Sequence, residues 1–159
     1  MSPNILDKLP CHNIEAEQSV LGAIIIAPDA LLLASDIISP EDFYRAAHKI
    51  IYGCLLDLYQ LGENIDIISI CDRLALKGYL EEVGGSEYIC KLASQIPTAA
   101  NVTFHSRIVR EKALLRRTGA WALTVAEQSQ NGVEDISAWL GQIESGLIDI
   151  AQSAKSKTS

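Results

Sequence analysis

The sequence predicts an all-α fold in which a compact helical globule is followed by a protruding two-helix hairpin. Three observations predict it. Residues 101–130 contain no proline and one glycine, in a run rich in Ala, Leu, Arg, Glu and Gln that favours uninterrupted helix. After the turn signal Asn131-Gly132, the residues Ile136, Leu140, Ile143, Leu147 and Ile150 recur at spacings of 4, 3, 4 and 3, as in a helix-packing seam. Strand-like alternation occurs only from Ile65 to Ile68, where capping and stop residues favour helix.

Residues 1–8 read as a mobile tail, and the globule is expected to span 9–97. Leu9-Pro10 sets an extended approach. Asn13 caps a first helix whose first turn carries Glu15 and Glu17, charges that suit the positive end of the helix dipole. Val20, Leu21, Ile24 and Ile25 give this helix a buried face, and Pro28 ends it or begins the next. Asp29 to Ile38 is a modest helix at best. Ser39-Pro40-Glu41-Asp42 combines a cap, a proline at the first helical position and first-turn acids. A third helix, expected to be the centre of the globule, runs from Arg45 to Leu61 and stops at Gly62, with Ile50, Ile51, Leu55, Leu58 and Tyr59 at core spacing. Asp66 caps a helix through Lys77, with Gly78 as its stop. Leu80 to Gly85 reads as a loop, Ser86 as the cap of a short helix with Tyr88, Ile89 and Leu92, and Pro97 closes the globule.

The hairpin is expected over 98–152, with Thr98 capping its first arm and Asp135 its second. A helix of roughly 30 residues is about 45 Å long. A globule of about 100 residues is about 34 Å across. The first arm should therefore protrude. Its apolar residues form two lines, Phe104, Ile108, Leu115 and Ala122 on one side and Val102, Val109, Ala113, Ala120 and Leu123 on the other. The expected oligomer interface is accordingly Phe104, Ile108, Val109, Leu115 and Leu123. On the second arm, Trp139 and Ala151 widen the seam, so that Ile136, Trp139, Leu140, Ile143, Leu147 and Ile150 are expected to close the hairpin. Burying five such side chains contributes on the order of 7 to 15 kcal/mol gross, against roughly 4 to 15 kcal/mol for association. One seam alone makes a poor dimer, which puts self-association on the first arm.

Composition excludes several classes. With 48% hydrophobic and 21% charged residues the chain is not a disordered polymer. It has no apolar run of membrane-spanning length and no signal-peptide pattern at Met1-Ser2-Pro3-Asn4, so a cytoplasmic location is expected. Cys11, Cys54, Cys71 and Cys90 are scattered without CxxC spacing, which argues against metal binding and suits small core residues in a reducing compartment. A net charge of −7 argues against nucleic-acid binding by the domain as a whole. One local exception is Arg107, Arg110, Lys112, Arg116 and Arg117, opposed only by Glu111: a solvated face, or a patch for phosphate or an acidic partner.

No constellation for catalysis stands out. The sequence has no GxxxxGK[ST], GxSxG or HExxH, and Gly84-Gly85 is too common a pair to be a phosphate grip. His12, His48 and His105 are isolated, and His48 reads as a hydrogen-bonded core histidine. Glu81-Glu82 reads as loop solvation, and Glu15 with Glu17 as a helix first turn. No catalytic, cofactor or metal residues are expected.

The blocks themselves carry a resemblance. Leu9-Pro10 followed by Asn13-Ile14-Glu15-Ala16-Glu17-Gln18-Ser19-Val20-Leu21-Gly22-Ala23 resembles the opening of the N-terminal domain of bacterial replicative DNA helicases of the DnaB type. Phe43-Tyr44-Arg45, Ala47-His48 and Ile51-Tyr52 resemble the family's central-helix block, and Gly78, Leu80 and Val83-Gly84-Gly85 its loop. Pro97-Thr98-Ala99-Ala100-Asn101-Val102 and Ile108 to Arg117 resemble its passage into the hairpin. The likeness covers about residues 9–150. Cys11 and Ala47 stand where the family commonly has proline.

The resemblance implies a helical globule with a hairpin that pairs with the hairpin of a neighbouring subunit, six domains forming a collar of three dimers. It implies a docking platform for the C-terminal domain of primase. It places the ATP-hydrolysing motor, with its ATP and Mg, in a C-terminal domain absent from this chain, beyond an interdomain linker that the small polar residues 153–159 would begin. The chain itself would be a non-catalytic assembly and recruitment module. Three other readings stay open: a helicase-binding domain of a primase, against which the Asn13–Ala23 block argues; a stand-alone helicase/primase adaptor; and a nucleic-acid-binding helical module using the basic arm.

Overall fold

The computed structural model describes residues 8–157, which form seven α-helices and no strand. The expected tail lies, apart from Lys8, outside the described residues.

Helix α1 (Ile14–Ile26) begins where extended Asn13 accepts the Ala16 amide on Oδ1 at 3.0 Å. It is the centre of the globule. Ala16, Val20, Leu21, Ala23, Ile24 and Ile25 are all buried, and α1 packs against four of the other helices. At Gly22 a Cβ would lie 2.4 Å from the Leu92 carbonyl oxygen, so only glycine lets the neighbouring helix approach this closely. The expectation that the third helix is central is corrected by this packing.

Helix α2 (Ala30–Ser35) is six residues long, less than two turns, and buries Ala30, Leu31 and Ala34. The Ser39-Pro40-Glu41-Asp42 block forms a single 3-10 turn (Pro40–Asp42) with a capping box, and then the chain turns extended at Phe43 instead of continuing as helix. Helix α3 (Ala46–Gln60) buries Ile51, Tyr52, Cys54, Leu55 and Leu58. Tyr52, not Tyr59, is the core tyrosine; Tyr59 is half exposed. Helix α4 (Ile67–Leu76) is capped by Asp66, whose Oδ1 accepts the Ser69 amide at 2.8 Å, and Gly78 follows with φ +77°. Helix α5 (Gly85–Ser94) starts one residue before Ser86, which therefore lies in its first turn and is not its cap.

Helix α6 (Val102–Asn131) has the predicted 30 residues, but Asn101 precedes it; the Thr98 hydroxyl accepts the Ala100 amide and caps nothing. Helix α7 (Ile136–Ser156) is capped by Asp135, which accepts the Ala138 amide at 3.1 Å. It continues through Ser153–Ser156, so the hairpin passes the expected boundary at 152. Of the four free cysteines only Cys54 is buried; Cys11 and Cys90 are exposed, which corrects their reading as core residues. Burial pushes the Cys54 thiol up to about 11, leaving it protonated and inert at neutral pH.

Candidate interaction surface on the helical hairpin

The first half of α6 belongs to the globule. Val102, Ser106, Val109, Arg110 and Ala113 are buried at helical spacing, so Val109 is a core residue and not part of an interface, and Ile108 is half-buried against the same core. Past Ala113 the inward face passes to the other arm. Leu114, Thr118, Trp121 and Val125 are half-buried at one-face spacing, and the indole of Trp121 lies where a Cβ on Gly146 would meet its Nε1 at 2.6 Å. Near the tip, Trp139 Nε1 donates to Gln128 Oε1 at 2.8 Å.

These contacts define which face of α7 closes the hairpin. Trp139, Ile143, Gly146, Ile150 and Ser153 are half-buried, again at spacings of 4, 3, 4 and 3. The expected seam therefore divides: Trp139, Ile143 and Ile150 are on the closing face, while Ile136, Leu140 and Leu147 are exposed at 63%, 53% and 52%. No residue of α7 is fully buried. On α6, Phe104, Leu115 and Leu123 are likewise exposed. Leu115, Gly119, Ala120 and Leu123 also line a groove of about 480 Å³ whose other wall is the extended segment Lys8–Cys11.

The basic run is not a free cationic face. Asp42 is fully buried, and its Oδ1 accepts Arg110 Nη1 at 2.9 Å and Arg117 Nη2 at 2.6 Å. Its backbone carbonyl accepts Arg116 Nη2 at 2.8 Å, and Arg116 Nη1 donates to the Cys11 carbonyl at 2.7 Å. The Arg116 guanidinium also lies over the Tyr44 ring, which stacks on His12. Lys112 Nζ is 4.0 Å from Cys11 Sγ, and Arg107 is exposed. Three of the five cations thus fasten α6 to the 3-10 turn and the N-terminal segment, leaving little charge for phosphate. Burial, then the Asp42 charge, holds the Tyr52 hydroxyl far above its ordinary range.

A second buried polar cluster ties α1, α3 and α5 together. Glu17 lies in the first turn of α1, fully buried, and accepts the Tyr44 amide at 2.8 Å and the Arg45 amide at 3.3 Å. His48 Nδ1 meets Glu17 Oε1 at 2.7 Å, and its Nε2 meets Tyr88 Oη at 2.6 Å. Gln18 Nε2 donates to the same hydroxyl at 3.2 Å. With Nδ1 donating to Glu17 and Nε2 accepting from the Tyr88 hydroxyl, every partner in the cluster is satisfied. The ring is fully buried, with both nitrogens occupied, so it crosslinks helices and reaches no substrate. Among the described residues no group of His, Cys, Asp and Glu could hold a metal ion, and no helix is long and apolar enough to cross a membrane.

The fold and surface define an all-α scaffold domain with an antiparallel hairpin as its appendage. The family model described as "DnaB-like helicase N terminal domain" matches residues 9–111, and the chain belongs to that family of replicative helicases, as its N-terminal domain. It is 41% identical over 152 residues to the replicative DNA helicase DnaC of Bacillus subtilis (strain 168), covering 96% of this chain and 34% of that protein. It is 40% identical to the replicative DNA helicase DnaB of Geobacillus stearothermophilus over the same shares. The crystal structure of the N-terminal domain of DnaB helicase from Mycobacterium tuberculosis superposes with a TM-score of 0.85 at 35% identity, over 89% of this chain and 99% of that one. A second solved structure, titled "The Structure Of A DnaB-Like Replicative Helicase And Its Interactions With Primase", gives a TM-score of 0.71 at 28% identity, over 87% of this chain and 31% of that one. The chain thus spans about a third of the length of the curated relatives, and the motor region of those full-length helicases is not part of it.

Proposed function

We propose that this domain is the non-catalytic assembly and primase-docking module of a hexameric, ATP-driven replicative DNA helicase. One observation carries the reading: both arms of the hairpin expose large apolar side chains, Leu115 and Leu123 on α6 and Ile136, Leu140, Leu147 and Ile148 on α7, with Phe104 exposed on the globule half of α6. Apolar surface of this kind on both faces of a protruding element marks an interaction site. Hairpins of neighbouring copies pair through it, and three such dimers make a collar that presents the globules to the C-terminal domain of primase. That a similar solved helicase is titled with its primase interactions supports this assignment. ATP and Mg act in the motor domain, and the module works in the cytoplasm.

Nucleic-acid binding through the basic arm is the weaker reading, because Arg110, Arg116 and Arg117 are bound to Asp42 and to backbone carbonyls. Calorimetric titration with the C-terminal domain of the matching primase tests the proposal. It is done at a chain concentration where sedimentation shows a dimer or hexamer. Saturable binding is expected; an assembled oligomer that binds no primase overturns docking and favours a stand-alone adaptor. Salt-dependent binding of single-stranded DNA would return the basic arm to the site.

A further inference from the structure

We infer that Arg110 is a clamp that fixes the last turn of α7 to the globule and thereby sets the direction in which the chain leaves the domain. A single guanidinium bridges the Asp42 turn and Ser153. Nη1 donates to Asp42 Oδ1 at 2.9 Å, while Nη2 donates to the Ser153 carbonyl at 2.7 Å and to Ser153 Oγ at 3.1 Å. Arg110 is 4% exposed, so solvent screens these bonds far less than those of a surface pair.

The chemistry at Ser153 suits a cation. Carbonyls in the final turn of a helix lack amide partners four residues on, and together they form its negative pole. Here the Lys157 amide, the expected partner of the Ser153 carbonyl, bonds to the Lys155 carbonyl instead. The Ser156 hydroxyl also donates to the Ser153 carbonyl, at 3.2 Å. A guanidinium from α6 therefore caps α7 from outside the helix. No residue of α7 is fully buried, and this polar fork adds a directed anchor to the half-buried packing of its closing face.

The same geometry allows the clamp to open. When the Arg110 Nη2–Ser153 bonds break, Arg110 Nη1 stays on Asp42 Oδ1 beside Arg117, so opening leaves no unpaired buried charge. In a role that rests on the assembly reading above, this side chain passes a displacement of the last turn of α7 to the Asp42 turn.

Amide hydrogen exchange on the 159-residue chain tests the clamp. Arg110→Lys keeps one charge for Asp42 and cannot span both partners. Exchange at 150–157 should rise by at least about tenfold while that of α1 and α3 stays within about twofold, because the opening is local. Unchanged exchange at 150–157 overturns the inference, and so does an equal rise in α1 and α3. Ser153→Ala, which leaves Asp42 and the core untouched, serves if the first variant does not fold. A rise of about two- to threefold confined to 150–157 supports the clamp, and no rise overturns it. Primase plays no part in this measurement, so the clamp and the docking surface fail separately.

Discussion

Arg117 donates to the same oxygen of Asp42 that Arg110 uses, at 2.6 Å, and the carboxylate between them has no exposed surface. Two guanidinium groups therefore depend on one buried anion, which also accepts the Ser39 amide on its other oxygen at 2.9 Å. Removing that anion leaves Arg110 buried without its counter-charge. Asp42→Ala should destabilise the domain by about 3 to 5 kcal/mol. Urea unfolding followed by circular dichroism measures this. A loss below about 1 kcal/mol, the range of a surface pair, would show that the pairing is peripheral.

The Glu17–His48–Tyr88 chain makes a different demand. Tyr88 supplies the partner of His48 Nε2, and that nitrogen cannot reach water. Tyr88→Phe should cost about 1 to 3 kcal/mol, the desolvation penalty of one orphaned polar atom. Glu17→Ala should cost more, because the Tyr44 and Arg45 amides also lose their acceptor. Thermal melts of the two variants give the order, and the reverse order would relocate the weight of the cluster to Tyr88.

Gly146 sets the separation of the hairpin arms. Any Cβ there would meet Trp121 Nε1 at 2.6 Å, and the obstacle is a rigid, half-buried indole ring. Gly146→Ile should cost about 1 to 3 kcal/mol by overpacking, offset in part by better helix propensity. Trp121 and Trp139 are the only two tryptophans and both lie on the hairpin, so emission reports this element alone. A red shift is expected. Unchanged emission with a raised melting temperature would mean that the hairpin accepts the added side chain without moving apart.

Local signals were legible in the sequence, and distant ones were not. Asn13, Asp66 and Asp135 act three residues along the chain, and each could be recognised as a cap beside its helix. Asp42 reads locally as a first-turn acid, but its guanidinium partners are 68 and 75 positions away, and counting charges along α6 finds cations without their anions. Glu17 looked like a first-turn acid for the same reason. Its partner His48 is 31 positions distant. The seam of α7 divides for a different reason. Its large apolar residues straddle two faces, and the closing face runs through Gly146, which no count of apolar side chains records.

The cap of α4 titrates. Hydrogen bonds from the Ser69 amide, then from the Ser69 hydroxyl, hold the Asp66 carboxyl below its ordinary value of 3.8. A depressed folded value means that its contribution is complete above about 3.8 and is lost as pH falls through the folded value. Asp66→Asn keeps an acceptor for the Ser69 amide but cannot titrate. Its melting temperature should fall less steeply than that of the parent as pH drops below 3.8. Parallel curves would remove Asp66 from the acid response.

Leu140 and Ile143 separate closure of the hairpin from association. They are three residues apart on α7, yet Leu140 is exposed while Ile143 is half-buried on the face that carries Gly146 and Trp139. Ile143→Glu places a carboxylate against the other arm with no cation to meet it, and should open the hairpin at a cost of about 1 to 3 kcal/mol. Leu140→Glu places the same charge in water, so the melting temperature should hold. If copies associate through the outer face, sedimentation should then show a smaller mass for Leu140→Glu and for Leu115→Glu at equal helicity. Retained mass in both variants would move self-association off these faces, and a Leu140→Glu chain that melts as early as Ile143→Glu would place Leu140 inside the hairpin.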